Sequence, residues 1–307
     1  MTPDTYTNQE LMLDVGDGHA VYIHDWGNPK AKNPIVVLHG GPGYGFSDRH
    51  KQRYDPSKQR VIFHDQRGGG KSTPYGSIEN NTTDYLVEDV QKIVNYLKLD
   101  TFILTGGSWG STLALMYALK YPEQISALIL SGIYTASQQE TLYLHNGLYR
   151  THFPDVWQRL LERAPNEHQD DPMAYHLERI FSSNEAEAAE SARAYQDCEA
   201  ALLHLDDRFT PSPEKEFDAT PAKLEAHYLS QDCFMPEDRY ILHNAHKIKI
   251  PTWIVQGRYD FICPPITAYE LDQKLPNSTF IWTQAGHAND RNNYEVMRTL
   301  LLQASQA

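Results

Sequence analysis

Apolar residues recur along the first 130 positions in short runs, and these runs alternate with segments of helical periodicity. Five runs have the composition of buried strands, at residues 20–26, 34–40, 60–65, 101–106 and 125–132. Between the third and the fourth run, one helix face carries apolar residues, namely Leu86, Val90, Ile93, Val94 and Leu97. Strands that alternate with helices predict an α/β fold with a mostly parallel sheet, right-handed crossovers and flanking helices.

The pattern changes near residue 135. From there to about residue 240 the chain is rich in Glu, Ala, Tyr and His and has few strand-like runs. Strand-like runs return at residues 250–257 and 278–286, with one helical segment between them and another after them. We therefore predict a core of residues 1–135 and 241–307 that is split by an inserted helical cap of residues 136–240.

Composition and charge narrow the class of protein. The chain has 307 residues, of which 40% are apolar and 22% charged, as in a globular protein. Its 40 acidic and 27 basic residues give a formal net charge of −13. This charge argues against nucleic acids and anionic membranes as partners and suits a substrate with a cationic group. The sequence leaves the oligomeric state open.

Cysteine usage bears on the compartment. Cys198, Cys233 and Cys263 are widely spaced and form neither a CxxC pair nor an even disulfide framework, which favours a reducing environment. The first residues do not have the pattern of a signal peptide, and the chain has no apolar run long enough for a bilayer. We expect a cytoplasmic protein.

A sharp turn is predicted where the strand at residues 101–106 meets a helix. The sequence G-G-S-W-G at residues 106–110 fits G-x-S-x-G, which is typical of a nucleophile elbow when a strand precedes it and a helix follows. The glycines leave room for a tight turn that projects Ser108. The motif alone is only moderately specific, because glycine and serine are common in turns.

Two further residues lie in the order that such an elbow requires. Asp260 follows the run at residues 250–257, and His287 directly follows the run at 278–286. His287 would take the proton of Ser108 during attack and later protonate the leaving group, while Asp260 would hold the imidazole in the useful tautomer. Each residue alone could equally be an ordinary loop residue. The three together, each at a strand end, predict a catalytic triad.

An oxyanion hole needs two backbone N–H groups near this serine. Trp109 directly follows it, and Gly41 lies in the loop H-G-G-P-G after an early strand, although a plain Gly-Pro turn has the same sequence. The nearby segment D-Q-R-G-G-G-K-S-T resembles a phosphate loop. Asp65 stands where that motif requires glycine, so we interpret the segment as a turn that supports the active-site face.

The sequence contains no pattern of metal ligands. His19, His39 and His64 do not have metal-ligand spacing, and H-E-x-x-H is absent from the sequence. Cys263 lies close to Asp260, and we interpret it as a small buried residue without a catalytic role. We expect neither a metal nor another cofactor.

These motifs together resemble the prolyl aminopeptidase (proline iminopeptidase) family of α/β-hydrolases. The resemblance rests on H-G-G-P-G at 39–43, D-Q-R-G at 65–68, N-T-T at 81–83, G-G-S-W-G-S at 106–111, G-R-Y-D at 257–260 and A-G-H at 285–287. It implies the α/β-hydrolase fold with a helical cap. It also implies a serine peptidase that removes an N-terminal residue, often proline, from a peptide.

The resemblance further implies that carboxylates of the cap hold the free amine of the substrate. Glu199 looks like the glutamate of the family's W-x-x-W-E segment, and Glu225 looks like that of its E-N-H-Y-F segment. Tyr134, with Trp109, would give the first pocket an apolar wall. Without the resemblance, both glutamates would be interpreted as solvated positions on helices.

Two departures from the family pattern concern the preferred residue. The family has L-R-G-I-F where this chain has L-S-G-I-Y at residues 130–134, so Ser131 replaces an arginine. The aromatic segment that follows is also altered, at residues 142–145. The choice between proline and another small residue, such as alanine or glycine, therefore stays open.

The sequence thus predicts a serine aminopeptidase that acts through an acyl-enzyme on Ser108. One alternative is a carboxylesterase or amidase that acts on small acyl substrates without holding an amine. Another is a catalytically silent protein that binds a ligand under the cap. Acetylation of the substrate amine separates the first two hypotheses, and labelling of Ser108 by a fluorophosphonate tests the third.

Overall fold

An eight-stranded sheet positions every candidate site residue of the core. The computed structural model describes residues 6–143, 148–203, 217–288 and 291–307. In chain order the strands are β1 (Thr7–Gly16), β2 (His19–Gly27), β3 (Ile35–Leu38), β4 (Arg60–His64), β5 (Phe102–Ser108), β6 (Ile125–Ile133), β7 (Thr252–Gly257) and β8 (Ser278–Thr283). Their order across the sheet is β1-β2-β4-β3-β5-β6-β7-β8.

The sheet is mostly parallel, as the alternation of strands and helices predicts. The strands from β4 across to β8 pair in parallel, whereas β1 and β2 pair antiparallel at one side. All four residues of β3 are buried, because helices cover both faces of the sheet. The carboxyl ends of the parallel strands meet at one edge, which is where sites form in such sheets.

The first strand is absent from the prediction. In β1 most side chains are exposed or half-buried, and only Val15 is buried. An edge strand with one solvated face lacks the continuous apolar run that identifies the inner strands.

Among the described residues, five helices of the core flank the two faces of the sheet. They are α1 (Thr83–Tyr96), α2 (Trp109–Lys120), α9 (Tyr240–Asn244), α10 (Pro265–Lys274) and α11 (Arg291–Gln306). Leu86, Leu113 and Leu271 belong to the larger apolar cluster on one face, and Met297 and Leu301 belong to the cluster on the other. A short 3-10 helix, Asp48–Arg53, also lies on the side of α11.

Helices also make up most of the described residues between β6 and β7. They are α3 (Gln138–Tyr143), α4 (Tyr149–His152), α5 (Pro154–Glu162), α6 (Pro172–Arg179), α7 (Glu185–Leu203) and α8 (Thr220–Leu229). Trp157, Leu177 and Tyr195 belong to an apolar cluster of their own. That separate cluster supports a cap of residues 136–240, whose boundaries stay a prediction. Residues 144 and 145 of the altered aromatic segment lie outside the described residues.

None of the helices in the described ranges is long and apolar enough to cross a membrane.

Candidate active site

Ser108 lies at the turn between β5 and α2, at the carboxyl edge of the sheet. Its backbone has φ +56° and ψ −131°, a left-handed conformation that is uncommon for a residue with a side chain. Such strain persists only where the surrounding structure imposes it, and it is concentrated at functional sites. The turn has the conformation that the sequence predicts for a nucleophile elbow.

The flanking glycines are required by close backbone contacts. A Cβ atom on Gly106 would lie 2.2 Å from the carbonyl oxygen of Gly110. A Cβ atom on Gly110 would lie 2.2 Å from the carbonyl oxygen of Leu38 in β3. Both contacts are with backbone atoms, which cannot turn aside as a flexible side chain can. The helix therefore begins so close to the sheet that only glycine fits at these two positions.

A Gly110→Ala substitution is expected to lower the free energy of unfolding by about 3 kcal/mol, because it forces the elbow away from β3. Gly18→Ala is the control, since the space around Gly18 is open and only its φ of +78° opposes a side chain. That control is expected to cost about 1 kcal/mol. Urea unfolding of both variants gives the comparison, and equal losses would contradict the steric explanation.

Asp260 follows β7 and is almost fully buried. Its Oδ1 atom accepts hydrogen bonds from the backbone N–H groups of Ile262, at 3.1 Å, and Cys263, at 2.8 Å. The Nε2 group of Gln256 donates to Oδ2 at 3.3 Å. The carboxylate is therefore held in one orientation by three donors before it meets the histidine.

His287 lies in the loop after β8, and its ring faces Asp260. Nδ1 lies 3.0 Å from both carboxylate oxygens, so this nitrogen carries the proton that the carboxylate accepts. Burial lowers the pKa of His287, but the charge and hydrogen bond of Asp260 outweigh it and the pKa is raised overall. The other ring nitrogen is left for Ser108, and both side chains line the same cavity.

The two candidate oxyanion donors line the same cavity as Ser108. Trp109 is the first residue of α2, where a backbone N–H has no acceptor within the helix. Gly41 has φ +110°, and a cis peptide bond joins it to Pro42. The preceding residue, Gly40, lies close to the serine, since a Cβ atom on it would lie 3.4 Å from Cβ of Ser108.

The segment that resembles a phosphate loop supports these donors. The backbone N–H of Gln66 donates to Nε2 of His39 at 3.0 Å, and its side-chain amide donates to the His39 carbonyl at 3.0 Å. The indole N–H of Trp109 donates to Oε1 of Gln66 at 2.9 Å. The side chain of Gln66 thus connects the H-G-G-P-G loop to the start of α2.

A cavity of about 530 Å³ lies between this edge of the sheet and the cap. Ser108 and His287 line it from the core, and Glu199 of α7 and Glu225 of α8 line it from the cap. The structure therefore brings the two cap glutamates to the same space as the predicted nucleophile. Glu225 is buried, with 8% exposure, and is not the solvated helix position that its local sequence alone would suggest.

The two glutamates form an acidic pair that lines this cavity. Burial raises the pKa of both carboxyl groups, and the charge of Glu199 raises that of Glu225 further. Two neighbouring carboxyl groups of this kind do not ionise together, so we expect the pair to share one proton and one negative charge. The hydroxyl of Tyr195 donates to Oε1 of Glu199 at 3.2 Å. Oε2 of Glu225 has no fixed donor among the residues that the structure describes.

Tyr134 lines the same cavity from the end of β6. Its hydroxyl lies 3.7 Å from the Sγ atom of Cys233, and Leu229 lines the cavity nearby. Burial raises the pKa of Tyr134 well above its ordinary value, so the phenol is neutral. This wall of the cavity is uncharged and offers one hydroxyl and one thiol among apolar groups.

Cys263 lines the same cavity as the candidate nucleophile Ser108. Burial raises the pKa of Cys263 well above its ordinary value. A protonated, buried thiol is a poor nucleophile, so the position agrees with the interpretation of Cys263 as a buried residue without a catalytic role.

Gln256 of β7 is a site residue that the sequence analysis missed. Besides its bond to Asp260, its side-chain amide donates to the carbonyl of Cys263 at 3.1 Å and accepts from the backbone N–H of Ile133 at 3.0 Å. It thereby fixes the acid loop to the end of β6. The available signal was a polar side chain in an otherwise apolar inner strand.

Within the described parts of the chain, no group of three or more His, Cys, Asp or Glu residues is arranged to hold a metal ion.

Comparisons with known proteins agree with this geometry. A family model described as the alpha/beta hydrolase fold matches residues 33–289. A probable proline iminopeptidase from Leptolyngbya boryana is 39% identical over 287 residues, which cover 91% of this chain and 88% of that protein. A proline iminopeptidase from Xylella fastidiosa is 37% identical and covers 93% of both chains. One from Arabidopsis thaliana is 35% identical over 90% of this chain and 74% of that protein.

Solved structures share the fold at lower identity. A probable hydrolytic enzyme from Pseudomonas aeruginosa superimposes with a TM-score of 0.66 at 18% identity, over 98% of this chain and 95% of the other. An esterase from Exiguobacterium antarcticum gives 0.63 at 19% identity, over 97% and 100%. These likenesses confirm the predicted architecture and carry no information about substrate.

Proposed function

Because this chain belongs to the proline iminopeptidase family of α/β-hydrolases, we propose that it is a serine aminopeptidase that releases an N-terminal proline or other small residue from peptides. The observation that carries the proposal is the placement of an acidic pair, Glu199 and Glu225, in the cavity that Ser108 and His287 line. A general esterase does not need carboxylates opposite its nucleophile, whereas an enzyme that binds the free amine of a peptide does.

In the proposed mechanism, the proton of Ser108 passes to His287 as the serine oxygen attacks the first carbonyl carbon of the peptide. Asp260 stabilises the imidazolium that forms, and the backbone N–H groups of Gly41 and Trp109 hold the oxyanion. His287 then protonates the leaving amine as the peptide bond breaks. Water repeats the sequence on the acyl-enzyme, releases the free amino acid and restores the serine.

The acidic pair provides the reason for cleavage after one residue. A substrate ammonium beside Glu199 and Glu225 would release the shared proton and form charge-assisted hydrogen bonds with both carboxylates. The fixed separation between the pair and Ser108 then presents the first peptide bond to the nucleophile, and no later one. The cap above the cavity excludes a longer N-terminal extension.

The first pocket suits a small apolar residue. Tyr134, Cys233 and Leu229 would contact the side chain or the proline ring, and none of them is charged. Proline and alanine both meet this description, so the preferred residue is part of the test below.

The test compares kcat/KM for the 4-nitroanilides of proline, alanine, glycine and leucine with that of each N-acetylated counterpart. The Ser108→Ala variant serves as the blank. We expect acetylation to lower kcat/KM at least about hundredfold, because it removes the charge that the acidic pair binds. Equal hydrolysis of the acetylated compounds would instead favour a carboxylesterase or amidase. Failure of a fluorophosphonate to label Ser108 would favour a silent ligand-binding protein.

A cytoplasmic location is part of the same proposal. Cys198, Cys233 and Cys263 are buried free thiols, which suits a reducing compartment.

A further inference from the structure

A second cavity of about 170 Å³ lies behind the candidate nucleophile, on the side of the sheet that carries α11. It shares four lining residues with the cavity under the cap, namely Gly40, His50, Ser108 and His287. The serine and histidine therefore lie where the two spaces meet. At about 30 Å³ per water molecule, the second space equals roughly six waters, which admits a short polar segment but not a long peptide.

Arg53, the last residue of the 3-10 helix Asp48–Arg53, lines this second cavity and not the first. Its guanidinium has no hydrogen-bond or ion-pair partner among the residues that the structure describes. Arg53 is half-buried, and burial lowers its pKa. A half-buried guanidinium without an anionic partner among the described residues has donors free for an anionic ligand that enters the cavity.

The charges at the two ends of the site are opposite. The acidic pair Glu199 and Glu225 lies in the first cavity, and the cation Arg53 lies in the second, with Ser108 at their junction. The chain as a whole carries a net charge of −13, so a half-buried arginine that is unpaired within the described ranges does not reflect a general excess of basic groups. This polarity matches a short peptide, which has an ammonium at one end and a carboxylate at the other.

We propose that Arg53 binds the C-terminal carboxylate of a dipeptide or tripeptide substrate, so that the leaving segment occupies the second cavity during acylation. The inference rests on the proposed aminopeptidase function and adds the substrate class, short peptides with a free carboxylate. His50, which lines both cavities, lies beside the path between the scissile bond and Arg53. A planar guanidinium can hold a carboxylate with two parallel hydrogen bonds.

The test compares kcat/KM for Pro-Gly with that for Pro-Gly amide, which differs only in lacking the negative charge. The wild-type chain is expected to prefer the free acid at least about tenfold, the effect of one hydrogen-bonded charge. Arg53→Gln is expected to reduce the ratio to about one or below, while Arg53→Lys retains part of it. Arg49→Gln is the matched control, because Arg49 is exposed on the same 3-10 helix and lines neither cavity.

Proline 4-nitroanilide separates this inference from the function on which it rests. Its leaving group has no carboxylate, so all four proteins are expected to hydrolyse it at similar rates. If they do and the wild-type ratio is near one, or Arg53→Gln keeps the wild-type ratio, the carboxylate site is wrong although the aminopeptidase function stands. If none of the proteins cleaves the anilide or the dipeptide, the proposed function fails and the inference fails with it.

Discussion

Replacing Asp260 by asparagine is expected to lower kcat about 10⁴-fold, the loss that follows when a catalytic histidine is held in the wrong tautomer. The size of the effect depends on how firmly the structure fixes the side chain at this position. Two backbone N–H groups point at Oδ1, so an asparagine would keep its oxygen there and place its NH₂ group at the position of Oδ2.

That orientation has two consequences for the neighbours. The new NH₂ group would face Nδ1 of His287 as a donor, and the ring would respond by moving its proton to Nε2. With that nitrogen protonated, it can no longer accept the proton of Ser108. The NH₂ group would also face the side-chain NH₂ of Gln256, so in the variant this donor would lose the acceptor that Oδ2 provides.

A pH profile gives a second readout of the same variant. The pKa of His287 is raised in the wild-type chain, and the ring must be neutral to act as a base. Wild-type kcat/KM is therefore expected to rise with pH through a midpoint above about 6.5. In Asp260→Asn the residual activity is expected to have a lower midpoint, because burial remains while the attraction of the carboxylate is lost.

Asp100→Asn is the control for the loss of one acidic charge, since Asp100 is exposed. It is expected to leave both kcat and the pH midpoint unchanged. An Asp260→Asn variant that kept more than a tenth of wild-type kcat would remove Asp260 from the triad.

The second large effect is expected at the acidic pair. Glu199→Gln and Glu225→Gln are each expected to lower kcat/KM for proline 4-nitroanilide about tenfold, whereas the double variant falls at least about 10³-fold. The double loss exceeds the product of the single losses because of the shared proton. When Glu199 is replaced, Glu225 no longer faces a like charge, ionises more readily and still holds the ammonium. When Glu225 is replaced, Glu199 keeps the hydrogen bond from Tyr195 and still offers a carboxylate to the ammonium. When both are replaced, no carboxylate remains.

Hydrolysis of 4-nitrophenyl acetate serves as the control for this set. The ester has no amine, so its rate depends on the triad and the oxyanion hole and not on the acidic pair, and it is expected to be the same in all three variants. If the loss of kcat/KM in the double variant equalled the product of the two single losses, the two glutamates would act independently. No loss in the double variant would exclude the pair as the amine site.

The sequence was sufficient for the parts of the molecule that local rules determine. The inner strands are continuous apolar runs, and the elbow glycines appear in the motif because backbone atoms lie 2.2 Å from where side chains would be. The mostly parallel sheet and the family follow from the same patterns, and both are confirmed. The edge strand β1 was missed, because its exposed face breaks the apolar run.

Features that depend on contacts across the fold could not be found in this way. Gln256 connects the loop of Asp260 and Cys263 to Ile133 on another strand, and its polar side chain in an apolar run does not indicate which groups it contacts. That Arg53 has no partner among the described residues is likewise a property of the cavity and not of the local sequence. The shared proton of the glutamates needs α7 and α8 to lie side by side.

One helix of the cap, α8, packs directly against the residues around the nucleophile. Besides Glu225, α8 carries Leu224, which fills the space that a Cβ atom on Gly43 would occupy, and Tyr228, whose ring packs edge-on against Trp109 at 4.9 Å. Glu225, the H-G-G-P-G loop and the Trp109 indole are thus parts of one packed unit. In the proposed mechanism, this unit fixes the distance between the substrate amine and the reacting carbonyl at one residue. Larger side chains under α8 would move the helix outward and increase that distance, which is expected to convert removal of single residues into removal of dipeptides.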